Sequence, residues 1–95
     1  MCDPRNGNAS FGLGALEAYH HRAARARHLF LVAARDAGSR HAFAKAHAAL
    51  GRLAEDGGRV ADAVKEYRQA LRADGHNVWA RSGLARVLIP RQRGG

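Results

Sequence analysis

A chain of 95 residues has room for one domain with a modest core. Its 21 Ala and 14 Arg, against 2 Lys and 2 Pro, favour helix, and a single cysteine excludes an internal disulfide or a cysteine metal cage. The formal charge of +8 is uneven: +3 over 1–43, +1 over 44–77 and +4 over 78–95, where no acid occurs.

Residues 1–9 (MCDPRNGNA) combine Pro, Gly, Asn and Asp and are expected to be a disordered start. They lack the apolar core of a signal peptide, no apolar run reaches transmembrane length, and a soluble cytoplasmic protein is expected. Asn8 or Ser10 is placed to cap a first helix, whose apolar stripe is Leu13, Leu16 and Tyr19. The second helix is expected from Ala23 to Ala37. Its stripe of Ala26, Leu29, Phe30, Ala33 and Ala34 follows helical spacing, and Gly38 ends it. Ser39 then caps a third helix over 40–56, with Phe43, Ala46, His47, Leu50, Leu53 and Ala54 inward. After the Gly57-Gly58 turn, a fourth helix over 60–73 turns Val60, Ala63, Val64, Tyr67, Ala70 and Leu71 inward. Gly75 closes it and Asn77 caps a fifth helix from Val78 to Ile89, with Leu84, Val87 and Leu88 inward. Pro90 stops the pattern, and residues 90–95 form a basic tail.

The chain also echoes itself. Leu13-Gly14, Ala24, Ala26, Phe30 and Ala33 recur at one fixed offset as Leu50-Gly51, Ala61, Ala63, Tyr67 and Ala70. A fixed period of this size marks a stack of helical hairpins, in which each pair buries its apolar face only against a neighbour. Small residues let the helices approach. Gly51 and Ala63 should meet within one hairpin, Ala70 should meet the following unit, and Phe30 and Tyr67 should fill the gaps between small side chains.

These residues resemble the tetratricopeptide repeat. Residues 44–77 carry Leu50-Gly51, the Gly57-Gly58 turn and the run from Ala63 through Tyr67 to Ala70, in a unit whose length is the family's period. Leu84-Ala85 stands one such period after Leu50-Gly51, so 78–89 resembles the first or capping helix of a third unit. Residues 10–43 are a degenerate copy: the turn His20-His21-Arg22 has no glycine, and the link onward is longer than the period allows. His47, Ala54 and Gly75 depart from the Trp, Tyr and Pro usual in the family. The stretch Ala26 to Ala33 is also similar to the half-a-tetratricopeptide repeat of RNA-processing proteins. The resemblance implies an all-α stack of about five antiparallel helices, an α-α superhelix of two and a half repeats spanning 10–89.

It further implies a concave face, lined by the first helix of each pair, that holds peptide ligands. Carried over, the solvent-facing candidates are Lys45, Ala48, Ala49 and Arg52, then Trp79, Ser82, Gly83 and Arg86. Arg52 and Arg86 are equivalent positions one period apart, so their guanidinium groups are expected to grip a carboxylate together. Trp79 beside them is a candidate apolar anchor. The Asn residues of the family's carboxylate clamps are absent, which argues against a chaperone-tail clamp.

The expected function is therefore a non-enzymatic scaffold for an acidic or C-terminal peptide. The acids Asp56, Asp62, Glu66 and Asp74 are dispersed, and Gly57-Gly58 lacks the Lys-Ser/Thr of a phosphate loop. None of the six histidines is spaced i, i+4 from another, so neither a metal nor a cofactor is expected. The basic end keeps an RNA- or ribosome-associated subunit as the alternative. A third reading is self-association, or membership of a longer array, through an uncovered apolar edge at Val87, Leu88 and Ile89. No membrane partner is expected.

Overall fold

The computed structural model describes residues 7–89. They form five helices: α1 (Gly7–Tyr19), α2 (Ala23–Arg35), α3 (Arg40–Asp56), α4 (Val60–Ala73) and α5 (Val78–Leu88). The fold is all-α, a row of antiparallel hairpins measuring 54 × 29 × 16 Å. Besides its sequence neighbours, α3 touches α1 and α5, whereas α2 and α4 do not pack on each other. The first helices of the pairs thus share one layer and the second helices the other.

Alanine sets the spacing. Most of the buried core residues are Ala, and the large ones are Phe30, Leu50 and Tyr67. Tyr67 is the keystone. Its ring lies between Gly51 of α3 and Gly83 of α5, and a Cβ on Gly51 would stand 2.5 Å from its Cε1. A Cβ on Gly83 would be closer still. Gly14 repeats the arrangement in the first hairpin, where a Cβ would meet Phe30 Cδ1 at 2.7 Å. Contacts this tight exist only because those positions lack side chains. Leu50 joins Ala26 and Phe30 in one cluster, stacking the second unit on the first.

Local chemistry explains the helix ends. The Ser39 side chain accepts from Ala42 N at 3.1 Å, and Asn77 Oδ1 accepts from Ala80 N at 2.8 Å, so both act as N-caps. Gly58 turns at φ 80°, in the left-handed region that favours glycine. His21, its counterpart in the first hairpin, takes φ 61° and makes the same turn without glycine.

Several expectations are corrected. The first helix begins at Gly7, so Asn8 and Ser10 lie inside it and residues 7–9 are helical. Phe11 explains the extension: its ring sits 5.5 Å from that of Phe30, a tertiary contact that outweighs the weak local preference. The expected stripe of Leu13, Leu16 and Tyr19 is exposed, and Phe11, Gly14 and Ala18 face inward instead. Leu50 is covered by the preceding hairpin, while the described residues place no helix over Leu13. The second helix stops at Arg35 with Asp36 as its C-cap, ahead of Gly38. Val60 and Leu88 are also exposed, because no described helix covers those faces. The expectations for residues 1–6, for the Pro90 stop and for the basic tail lie outside the described residues.

Candidate functional site

The layer of first helices forms one face of a groove of about 440 Å³. It is lined by Phe11 from α1, Lys45, Ala48, Ala49 and Arg52 from α3, and Val78, Trp79, Ser82 and Arg86 from α5, with Tyr67 behind. All five charged, aromatic and hydroxyl candidates, Lys45, Arg52, Trp79, Ser82 and Arg86, line it together. The repeat explains the convergence: Lys45 with Trp79, and Arg52 with Arg86, each pair one period apart, sit at the same place on neighbouring parallel helices. Two small residues behave differently from expectation. Ala48 and Gly83 are buried, because the helices close on Tyr67 at those points.

The cations are not equivalent. Arg86 donates from Nε to Glu55 Oε2 at 2.5 Å and from Nη2 to Glu55 Oε1 at 2.8 Å. Tyr67 Oη donates to the same Glu55 Oε1 at 2.7 Å. This network ties α3, α4 and α5 together beneath the groove. Arg86 holds the Glu55 carboxyl down to about 2; the Tyr67 hydroxyl helps and burial opposes. Burial, then the bond to Glu55, pushes the Tyr67 phenol up, and the Glu55 carboxylate raises Arg86. One edge of the Arg86 guanidinium is therefore held by Glu55, so Arg86 and Arg52 are not equivalent.

Arg52 is held more loosely. Its Nε lies 3.1 Å from Asp56 Oδ1, a pair whose side chains are 64% and 63% exposed. Such a bond is worth little and exchanges readily for an incoming carboxylate. Lys45 Nζ stands 4.5 Å above the Phe11 ring, a cation–π contact at the groove's edge. Trp79 is 57% exposed, which leaves much of its indole open to a ligand. The groove thus offers an open indole, two displaceable cations and a third that is part of the frame.

Two groove residues, Phe11 and Val78, and Glu55 beneath the groove escaped the sequence reading. Phe11 stands in the first copy where Ala48 stands in the second, so the echo itself could have placed it on this face. Val78 opens α5 and was legible only as a helix start. Glu55 has no acidic counterpart in the other units, since Ala18 and Ile89 occupy its places, and nothing in the pattern announced its role. Among the described residues, no group of three or more His, Cys, Asp or Glu is arranged to hold a metal. No described helix is long and apolar enough to cross a membrane.

Comparison with curated proteins and with solved structures returned no match. A family model described as tetratricopeptide repeat matches residues 44–87, the segment that holds Gly51, Tyr67, Gly83 and most of the groove wall. Residues 44–87 thus carry the tetratricopeptide repeat.

Proposed function

We propose that the chain is a non-catalytic interaction module that binds an acidic or carboxyl-terminal peptide segment of a protein partner in the groove between α1, α3 and α5. Repeats of this family generally mediate protein–protein interactions. The observation that carries the finer reading is the convergence of Lys45, Arg52, Trp79, Ser82 and Arg86 on one open groove. Trp79 supplies an exposed aromatic anchor that the ligand would cover. Arg52 exchanges Asp56 for the ligand's carboxylate, and Lys45 adds a second charge from the opposite side of Ala48 and Ala49. Ser82 offers a hydroxyl to the ligand backbone. Arg86 fixes the groove wall through Glu55, and its Nη1 and the second hydrogen of Nη2 are left for a ligand.

This division of labour dictates the test. Replacing Arg86 would disturb the frame, so the diagnostic variant is Lys45→Glu with Arg52→Glu, and Trp79→Ala is made separately. Affinity capture from native lysate, with and without nuclease, should return nuclease-resistant protein partners that both variants lose while their helicity is retained. Partners retained by both variants would refute the groove assignment. Partners that vanish only on nuclease treatment would favour RNA.

A further inference from the structure

Helix α5 repeats the faces of α3 one period further along the chain, but one of them is empty. On α3 the stripe Ala44, His47, Gly51 and Ala54 lies under α4. Ala44, Gly51 and Ala54 are buried, and His47 Nδ1 is 2.7 Å from Glu66 Oε1 on α4. The counterparts on α5 are Val78, Arg81, Ala85 and Leu88. None of them is buried; Val78 is 60% and Leu88 52% exposed. The other side of α5 is occupied, since Ala80, Leu84 and Val87 pack with the α4 cluster and Gly83 meets Tyr67. The helix is therefore held from one side only.

We propose that this stripe docks an acidic amphipathic helix of a partner protein, lying against α5 as α4 lies against α3. The repeat geometry specifies the occupant's chemistry. Arg81 stands where His47 meets Glu66, and among the described residues no carboxylate pairs with it. Residues 75–95 contain no acid at all. The docked helix therefore presents a carboxylate to Arg81, where it forms a charge-assisted bond. Ala85 stands where Gly51 admits the Tyr67 ring. A Cβ at the Gly51 position would approach that ring to 2.5 Å, so the residue over Ala85 is aliphatic rather than aromatic. Val78 and Leu88 require apolar residues toward the two ends, which completes an i, i+3, i+4, i+7 pattern like that of Ala63, Glu66, Tyr67 and Ala70.

A second copy of the chain fits poorly. Two-fold pairing of α5 with α5 would bring the two Arg81 side chains together with no acid between them. Each copy also carries +8, so long-range repulsion opposes the encounter. The stripe is distinct from the groove, with Val78 on their shared edge, so this inference does not depend on the groove reading.

The test is fluorescence anisotropy of the full chain with a labelled synthetic probe: the Val60–Ala73 segment carrying Tyr67→Leu, Arg68→Glu and Arg72→Glu. Saturable binding is expected. Arg81→Glu or Leu88→Glu in the protein should weaken it at least about tenfold, a loss matching one misplaced buried contact. Trp79→Ala should leave it unchanged. A probe that also carries Glu66→Lys should fail on the parent chain and recover on the Arg81→Glu variant. The charge swap reads the contact itself, and all the substituted residues of the protein are exposed. Absence of saturation up to about 1 mM, an affinity no better than chance adhesion, would overturn the proposal. Binding lost with Trp79→Ala but kept with Leu88→Glu would overturn it too. So would sedimentation equilibrium showing that the chain alone dimerises and that Leu88→Glu abolishes the dimer.

Discussion

Gly83→Ala is the sharpest test of the packing around Tyr67. Gly83 lies inside α5, where alanine is intrinsically preferred by about 1 kcal/mol. Opposing that gain, a Cβ there collides with the Tyr67 ring, and the ring cannot retreat. Gly51 closes its other side, where a Cβ would already be at 2.5 Å, and the hydroxyl is bonded to Glu55 at 2.7 Å. Overpacking of this kind costs about 1–3 kcal/mol, and displacing the hydroxyl costs about 1 kcal/mol more. The net expectation is a loss of about 1–3 kcal/mol. For a chain of this size that lowers Tm by roughly 5–20 °C. Gly12→Ala is the control: Gly12 is inside α1 and a Cβ there meets nothing within 4 Å, so the substitution should stabilise by about 0.5–1 kcal/mol. Thermal and urea melts followed by far-UV circular dichroism read both. In a Tyr67→Leu background the penalty at Gly83 should shrink by about 1 kcal/mol or more, since the two sites share one contact. A Gly83→Ala variant as stable as the parent, or more stable, would refute the reasoning.

The Glu55–Arg86 pair makes stability depend on acid. The folded carboxyl sits near 2 against an ordinary value of 4.5, so its contribution is complete above about pH 4.5 and is lost as pH falls toward 2. Allowing for solvent screening, the unfolding free energy of the parent from urea titration should fall about 1–2 kcal/mol more over that window than that of Glu55→Gln. His21→Gly should stabilise by about 0.5–1 kcal/mol, because His21 takes φ 61° where the second unit uses glycine; thermal melts check this. Asn77→Ala should cost about 1–2 kcal/mol in urea titration, since the Asn77 side chain caps α5 from a buried position.

The architecture was legible because spacing alone sets it. Helices α2 to α5 follow the alternation of apolar positions with Gly, Ser and Asn punctuation closely, and the internal echo marked Gly51 as a point of close approach and Phe30 and Tyr67 as gap fillers; that Gly14 meets Phe30 and Gly51 meets Tyr67 came from the structure. What the pattern could not supply was context. Leu13 and Leu50 are the same residue in the same register, yet one is exposed and the other buried, because burial depends on a neighbouring hairpin. Gly83 illustrates the same point: numbered from its own helix it faces solvent, and only the size of Tyr67 on α4 brings it into the core. The groove residues were reached through the family resemblance, which implies a concave face on the first helices, and the period aligns their equivalent positions. The inequality of Arg52 and Arg86 was hidden, since it rests on Glu55, an acid the other units lack.

The groove reading is tested most directly by display selection. A random peptide library with free carboxyl termini is panned against the full chain, and the enriched peptides are measured by calorimetry. Sequences that combine acidic residues with an apolar side chain should be enriched. Their binding should fall at least about tenfold, or about 1.4 kcal/mol, with Trp79→Ala and with the Lys45→Glu, Arg52→Glu pair. No enrichment, or enriched peptides that bind the parent and both variants equally, would contradict it.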